Sequence, residues 1–309
     1  MTTALVTHSD CLSHVTPTGH PEQVARLEWV LAALDDKDLS KIEAPLASNA
    51  DLLLAHPQSH IDAISAAIPS EKFHALDGDT FVSPGSLKAA LRAVGGNVRA
   101  VDMVISGEVQ NAFVACRPPG HHAEHATPMG FCLFGNVAIA AKYAMARYGL
   151  SRVAIVDFDV HHGNGTQDLV QNDAGIFFVS THQSPLYPGT GSKGETGLHG
   201  TVLNVPLPSG TTGQDFRKIY ERIVLPAVDA FEPQLIFVSA GFDAHRADPL
   251  AGLNLEAEDF AWVTEQICDL ADAHCGGRIV STLEGGYDLD ALAQSAAAHV
   301  DVLIRRGAA

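Results

Sequence analysis

The chain has 309 residues, of which 46% are hydrophobic and 18% are charged, and its formal net charge is -17. This composition supports a large core and excludes a disordered chain, and the negative charge disfavours nucleic acid as a partner while favouring cationic ligands. The start of the chain lacks a signal-peptide pattern, no apolar stretch is long enough to cross a membrane, and the five cysteines form no CxxC pair, so we expect a cytoplasmic protein without disulfides.

Short runs rich in Val, Ile and Phe alternate with longer segments of helical period, which predicts a parallel sheet with helices on both faces. The predicted strands cover residues 4–7, 112–116, 153–158, 176–180, 201–205, 235–240 and 278–283. The predicted helices cover residues 21–34, 86–105, 136–148, 215–231, 257–274 and 290–305. No repeat or linker divides the chain. We therefore predict one α/β domain over residues 1–309, with its ligand site at the carboxyl ends of the strands.

The predicted strand over 112–116 is followed by the sequence RPPGHHA at 117–123. Proline and glycine stiffen this turn, which carries the adjacent histidines His121 and His122. Because imidazole titrates near neutral pH, either histidine can take a proton from water and return it to a leaving amine. The turn therefore predicts a general base.

The predicted strand over 153–158 runs into polar residues that alternate with apolar ones, namely Asp157, Asp159 and His161. Since strand side chains alternate between the two faces of a sheet, we expect these three groups to share one face. Two buried carboxylates need a compensating cation, and aspartate with histidine suits zinc or a similar divalent metal. This segment predicts a metal site.

The predicted strand over 235–240 is followed by Asp243. Asp243 would complete an Asp-His-Asp set with one position left open, which is how catalytic zinc sites are built. Asp248 is a competing ligand, but it stands before a proline and away from the strand end. An isolated aspartate after a strand is more often a cap for the following turn, so the preference for Asp243 depends on the neighbouring metal-site segment.

The predicted strand over 278–283 is followed by two glycines and Tyr287. The glycines permit a tight turn that can aim the phenol back into the crevice. Two carboxylate ligands leave zinc a weaker Lewis acid than three histidines would, so a neutral donor such as Tyr287 helps to stabilise a developing oxyanion.

Together these segments resemble the histone deacetylase family, and the match is closer to its class II branch and to bacterial histone deacetylase-like amidohydrolases than to class I. The motifs stand in family order, from His20 to about Leu289: RPPGHHA at 117–123, GFC at 130–132, DFDVHHGNGT at 157–166, YPGTG at 187–191, SAGFDAH at 239–245 and LEGGYDL at 283–289. The resemblance implies an arginase/deacetylase-like fold and zinc-dependent hydrolysis of acyl-lysine or a related acylated primary amine, with release of acetate or a short acylate.

The resemblance also implies roles for individual residues. One zinc ion per chain would be bound by Asp159, His161 and Asp243. His122 would be the general base and acid, His121 its electrostatic neighbour paired with Asp157, and Tyr287 the transition-state donor. Asn164 stands where class I enzymes place a second aspartate behind the tandem histidines, so His122 should be less strongly supported here.

A substrate tunnel is implied as well, with Phe131 and Tyr187 as its aromatic walls. The other implied positions are Gly130 in the GFC motif, Asp79 at the rim with Asp77 as an alternative, Arg26 near an acetate exit, and Asp157 with Ser180 as ligands of a structural potassium ion. Polyamine-specific relatives place a glutamate where this chain has Leu250, which speaks against a dedicated polyamine deacetylase.

Three alternatives remain open at this point. An acetylpolyamine deacetylase differs in substrate, and a two-metal ureohydrolase of the arginase kind would recruit the same aspartates and histidine. An acyl-lysine binding module would retain zinc without turnover, although the presence of Tyr287 favours an enzyme. The expected partners are an acylated amine substrate and, as a further option, a second copy of the chain, with neither nucleic acid nor membrane.

Overall fold

The structure is a computed structural model that describes residues 2–308. The strands are β1 (Thr3–Thr7), β2 (Ser40–Glu43), β3 (His74–Ala75), β4 (Phe81–Val82), β5 (Asn111–Val114), β6 (Val153–Asp157), β7 (Ile176–Gln183), β8 (Val202–Leu207), β9 (Ile236–Ala240) and β10 (Ile279–Leu283). The α-helices are α1 (Val24–Ala33), α2 (Asn49–Leu52), α3 (Gln58–Ala67), α4 (Ser86–Ser106), α5 (Asn136–Tyr148), α6 (Asn164–Val170), α7 (Gly213–Ile219), α8 (Leu225–Phe231), α9 (Ala257–Cys275) and α10 (Leu289–Gly307). A 3₁₀ helix covers Ser9–Ser13, and a π-helical segment at Tyr220–Val224 joins α7 to α8.

The central sheet has eight strands in the order β2-β1-β5-β10-β9-β6-β7-β8 within the described part of the chain. Each neighbouring pair in this sheet is parallel, whereas β3 and β4 form a separate antiparallel hairpin. Parallel strands need crossover connections, which the helices supply. The predicted α/β fold with a mostly parallel sheet is confirmed.

The four strands at the centre of the sheet, β5, β10, β9 and β6, are buried along their whole length. Their apolar runs match this environment, since a strand covered on both faces does not alternate with polar residues. In this register Ser239 of β9 lies beside both Asp157 of β6 and Thr282 of β10. The loops that follow these strands therefore meet at one edge of the sheet.

Several elements differ from the sequence-based expectation. Strand β2 was missed because it is a short edge strand whose residues alternate between partly buried and exposed. The short helices α2 and α3 and the β3–β4 hairpin were also missed. Helix α1 begins at Val24 and not at residue 21, because Gln23 has extended backbone angles. None of the helices within residues 2–308 is long and apolar enough to span a membrane.

Candidate active site

Asp159 and His161 occupy a turn and not a continued strand. Strand β6 ends at Asp157, so strand alternation cannot position the two residues that follow it. Instead, Oδ1 of Asp157 accepts the N–H of Asp159 at 3.1 Å, and Oδ1 of Asp159 accepts the N–H of His161 at 2.9 Å. Two successive turns closed by aspartate side chains thus carry the chain across the sheet edge. The intervening Phe158 and Val160 are buried in the core.

Asp159, His161 and Asp243 form a buried cluster in which one ligand atom from each residue lies within 4.8 Å of the others. Nδ1 of His161 lies 3.1 Å from Oδ1 of Asp159 and 3.1 Å from Oδ2 of Asp243. The N–H of Val160 donates to Oδ1 of Asp243 at 2.9 Å and fixes that carboxylate. These three side chains are a ligand set that could hold one metal ion.

The chemistry of this cluster fits a divalent cation. Asp159 and Asp243 are completely buried, and burial together with the charge of Asp159 raises the pKa of Asp243 to about 7. Burial opposes the charged form of His161, but hydrogen bonds to the two carboxylates outweigh it and raise the pKa of His161 to about 10. A cation at this position would compensate both carboxylates, and two oxygens with one nitrogen suit zinc.

Two glycines press against the same carboxylate. A Cβ at Gly241 would overlap the side chain of Asp159, and a Cβ at Gly285 would overlap the side chains of both Asp243 and Asp159. The N–H of Gly285 also donates to Oδ2 of Asp159 at 2.8 Å. Only glycine permits this close approach of backbone to ligand.

Asp248, the competing ligand, lies outside the cluster. Its two oxygens accept the N–H groups of Leu250 at 2.9 Å and of Tyr287 at 2.7 Å. This carboxylate is therefore engaged with backbone, which leaves Asp243 as the aspartate that the structure brings beside Asp159 and His161.

His121 lies among acidic groups. Its Nδ1–H donates to Oδ2 of Asp157 at 3.0 Å, and its Nε2 lies 3.8 Å from Oδ2 of Asp159. Burial would lower the pKa of His121, but the charges of Asp159 and Asp157 outweigh burial and raise it well above the ordinary value. Glu284 accepts the N–H of Gly120 at 2.7 Å and that of His121 at 3.2 Å, which fixes the histidine turn.

His122 has a different environment from its neighbour. Its Nδ1 lies 2.7 Å from Oδ1 of Asn164, and its ring centre is 4.0 Å from that of His121. Burial and the nearby rings of His121 and His161 lower the pKa of His122 well below its ordinary value. The environments of the two adjacent histidines therefore shift their pKa values in opposite directions, upward for His121 and downward for His122.

A pocket of about 240 Å³ opens at His161, one member of the Asp159, His161 and Asp243 cluster. The residues that line it are Asp79, His122, Gly130, Phe131, His161, Leu186, Tyr187, Leu250 and Tyr287. The rings of Phe131 and Tyr287 meet edge to face at 5.8 Å, as do those of His122 and Tyr187 at 5.3 Å. The structure thus brings the expected wall, rim and base residues around one cavity.

Asp77 does not line this pocket. Its Oδ1 accepts the N–H groups of Asp79 at 3.0 Å and Thr80 at 2.6 Å, so it closes the turn of the β3–β4 hairpin. Asp79 is held at the pocket by that turn. Gly130 has a left-handed φ of 54°, and a Cβ there would overlap the ring of His122.

Tyr287 is packed against Arg26, whose guanidinium carbon lies 4.8 Å from the centre of the phenol ring. Arg26 itself is buried and donates to the carbonyls of Gly286 at 2.6 Å and Glu284 at 2.5 Å. Burial raises the pKa of Tyr287 well above its ordinary value, so the hydroxyl remains a neutral donor. These two hydrogen bonds from Arg26 fix the turn that carries Tyr287.

Ser180 and Asp157 are register partners on the neighbouring strands β7 and β6. The hydroxyl of Ser180 lies 3.0 Å from Nδ1 of His182. Both side chains are completely buried behind the histidine pair, away from the pocket.

Three residues at or near the site were not singled out from the sequence. Leu186 lines the pocket, but nothing in its local sequence distinguishes it from other leucines. Glu284 belongs to the LEGGYDL motif. An acidic residue directly after an apolar strand indicates a functional position, so the sequence did contain a signal for it. Glu124 lies next to Asn164 and has no local signal, because the contact joins residues 40 positions apart.

Comparison with known proteins identifies the family of the chain. A sequence model of the Histone deacetylase domain matches residues 20–303. The chain is 38% identical to a "Probable deacetylase" of Archaeoglobus fulgidus, covering 94% of this chain and 82% of the relative. It is 42% identical to the "Histone deacetylase-like amidohydrolase" of Pseudomonas aeruginosa, covering 87% and 73% respectively.

Among solved structures, the crystal structure of the HDA15 HD domain superimposes with a TM-score of 0.93 at 34% sequence identity. The superposition covers 99% of this chain and 89% of that one. A family match over most of the chain, similar relatives and a shared fold agree with one another, and the chain belongs to the histone deacetylase family.

Proposed function

We propose that the protein is a zinc-dependent deacetylase that hydrolyses the amide of acyl-lysine or a related acylated primary amine. The observation that carries this proposal is the buried Asp159, His161 and Asp243 cluster, whose His161 lines a pocket together with His122 and Tyr287. A ligand set, a neutral imidazole and a phenol around one cavity are the groups that amide hydrolysis requires. Family membership supports the same class of reaction.

In this proposal each of the site residues has a distinct role. Neutral His122 takes a proton from the attacking water and delivers it to the leaving amine. Cationic His121, paired with Asp157, adds positive potential next to the forming tetrahedral oxyanion. The hydroxyl of Tyr287 donates a hydrogen bond to that oxyanion. When bound by the cluster, zinc supplies Lewis acidity to the acyl carbonyl and to water.

The lining of the pocket supports a neutral acylated stem as substrate. Phe131 and Tyr187 offer aromatic surface to the methylenes of an acyl-lysine, and Asp79 offers an acceptor at the rim. Leu250 offers no partner to a second ammonium, which would have to lose its water without compensation. An acetylpolyamine is the second candidate substrate, and it is favoured only by the net charge of -17.

Other features of the sequence-based prediction belong to the same proposal. We propose that residues 1–309 form one catalytic domain, and that the five cysteines, which are all free and buried, function in a reducing cytoplasm. A structural potassium ion at Asp157 and Ser180 stays a prediction, as does a homo-oligomer.

Removing and restoring the metal tests the proposed function. Hydrolysis of an acetyl-lysine peptide should stop in protein stripped by a strong chelator and return when Zn²⁺ or Co²⁺ is added. The reloaded protein should bind one metal ion per chain. Full activity in verified metal-free protein would overturn the proposal, and two manganese ions per chain with release of urea would favour the arginase-like alternative.

A further inference from the structure

The orientation of the Asn164 side chain is set by Glu124. The Nδ2 of Asn164 lies 2.8 Å from Oε1 of Glu124, and its Oδ1 lies 2.7 Å from Nδ1 of His122. A carboxylate only accepts hydrogen bonds, so the group facing Glu124 must be the amide NH₂. The oxygen of the amide is therefore forced toward His122. The other neighbour of the NH₂ group, the sulfur of Met129 at 3.3 Å, is a weak acceptor.

This orientation determines where His122 carries its proton. Because the Asn164 oxygen only accepts, Nδ1 of His122 must carry a hydrogen. When the ring holds a single proton, Nε2 then has the free lone pair. If the amide were reversed, its NH₂ would face Nδ1 and favour the tautomer with hydrogen on Nε2. That tautomer cannot take a proton from water at Nε2.

Glu124 is itself held in place by its loop. Its N–H donates to the carbonyl of Thr127 at 3.0 Å. The next residue, His125, donates its N–H to Asp168 at 2.8 Å, and its ring nitrogen lies 2.9 Å from the carbonyl of Ala55. These bonds fix the main chain at Glu124, whose partly buried side chain reaches Asn164.

We propose that Glu124 is a positioning residue. By orienting Asn164, it holds His122 in the tautomer with hydrogen on Nδ1, which can accept a proton at Nε2. This inference rests on the proposed function, because it assigns a role to a residue behind the proposed general base. It also gives a task to the asparagine found where other members of the family have an aspartate. Either oxygen of a carboxylate can accept from Nδ1 of His122, so its orientation does not matter. An amide must turn its oxygen toward His122, and it needs a neighbour to fix that orientation.

The test uses Zn²⁺-loaded protein with Glu124→Ala, Glu124→Gln and Glu124→Ala combined with Asn164→Asp. For Glu124→Ala we expect kcat to fall by at least about tenfold, with KM nearly unchanged. A general base accelerates a reaction by roughly 10²–10⁴-fold, and the variant should lose part of that acceleration. Glu124→Gln should fall between the wild type and Glu124→Ala, because glutamine can present an oxygen to Asn164 but its amide can also reverse. Glu28→Ala, an exposed glutamate on α1, is the matched control.

The double variant separates orientation from structural support. The carboxylate that Asn164→Asp introduces would accept from Nδ1 of His122 through either oxygen, so activity should recover to within about threefold of the wild type although Glu124 is absent. A double variant no better than Glu124→Ala would overturn the proposal, as would a kcat for Glu124→Ala within about twofold of the wild type.

A second measurement does not depend on turnover. In ¹⁵N-histidine-labelled, Zn²⁺-loaded protein, the ring signals of His122 should show hydrogen on Nδ1 in the wild type and a growing population with hydrogen on Nε2 in Glu124→Ala. An unchanged tautomer in Glu124→Ala would overturn the role of Glu124. Absence of deacetylase activity in the wild type would contradict the proposed function while leaving this measurement valid.

Discussion

The main-chain N–H of Tyr287 donates a 2.7 Å hydrogen bond to Oδ2 of Asp248, whose other oxygen accepts the N–H of Leu250 at 2.9 Å. One buried carboxylate therefore fixes both the proposed transition-state donor and a second residue of the pocket wall. The two backbone segments are 37 positions apart in the chain, and this carboxylate adds a side-chain link between the loops that follow the paired strands β9 and β10.

Asp248→Asn tests this link. One carboxylate oxygen becomes an NH₂ that faces a backbone N–H, and a buried unsatisfied group costs about 1–3 kcal/mol. We expect a loss of that size in the free energy of unfolding, measured with urea, together with a lower kcat. Asp288→Asn is the matched control, because Asp288 caps α10 and asparagine caps equally well. Equal stability and kcat in the two variants would contradict the role of Asp248.

Tyr287→Phe deletes one hydroxyl from the pocket. We expect normal folding and a loss of about a hundredfold or more in kcat, the usual scale for removing one oxyanion donor. Tyr143→Phe removes a hydroxyl that bonds to Asp102 on the outside of the sheet and should leave kcat unchanged. Turnover of Tyr287→Phe within about threefold of the wild type would mean that another group stabilises the oxyanion.

Leu250→Glu should change the choice of substrate. The wild type is expected to prefer an acetyl-lysine peptide over an acetylpolyamine, because the side chain of Leu250 offers no carboxylate to the second ammonium and Asp248 is already engaged with backbone N–H groups. The variant should shift kcat/KM toward the polyamine, whereas Leu186→Glu, on another part of the same lining, should not. A wild-type preference for the polyamine of tenfold, about 1.4 kcal/mol, would show that Leu250 does not set selectivity.

Zinc affinity should depend on pH in a defined direction. The pKa of Asp243 is raised to about 7 and that of His161 to about 10, so both groups carry protons that a metal must displace in neutral solution. Each displaced proton strengthens binding by about tenfold per pH unit. As the pH rises, the logarithm of Kd should therefore fall more steeply below pH 7 than above it. Calorimetry from pH 5.5 to 8.5 measures the Kd for zinc. A Kd that changes by less than about threefold over this range would refute the prediction.

The central part of the fold was predictable because its strands are continuous apolar runs. Residues 153–157 and 236–240 differ from the predicted strands by one residue at one end. Strand β2 was not predictable in the same way, since its four residues are half exposed and pair on one side only. The hairpin that carries Asp77 and Asp79 has strands of two residues, too short for any periodicity.

The site required knowledge that local sequence does not contain. Asp243 reaches Asp159 because β9 pairs with β6, and no local pattern gives that strand order. The turn after β6 was expected to be strand-like, but its aspartates bond to their own backbone two residues later. Family resemblance, and not periodicity, was the source of the assignments for Phe131 and Tyr187.

The close approach of Gly241 and Gly285 to Asp159 bears on how the cluster would receive a metal ion. The backbone packs against the Asp159 carboxylate, and the N–H of Gly285 donates to its Oδ2 at 2.8 Å. Folding itself therefore orients this side chain. A metal ion that binds here would meet one of its three ligands already in place.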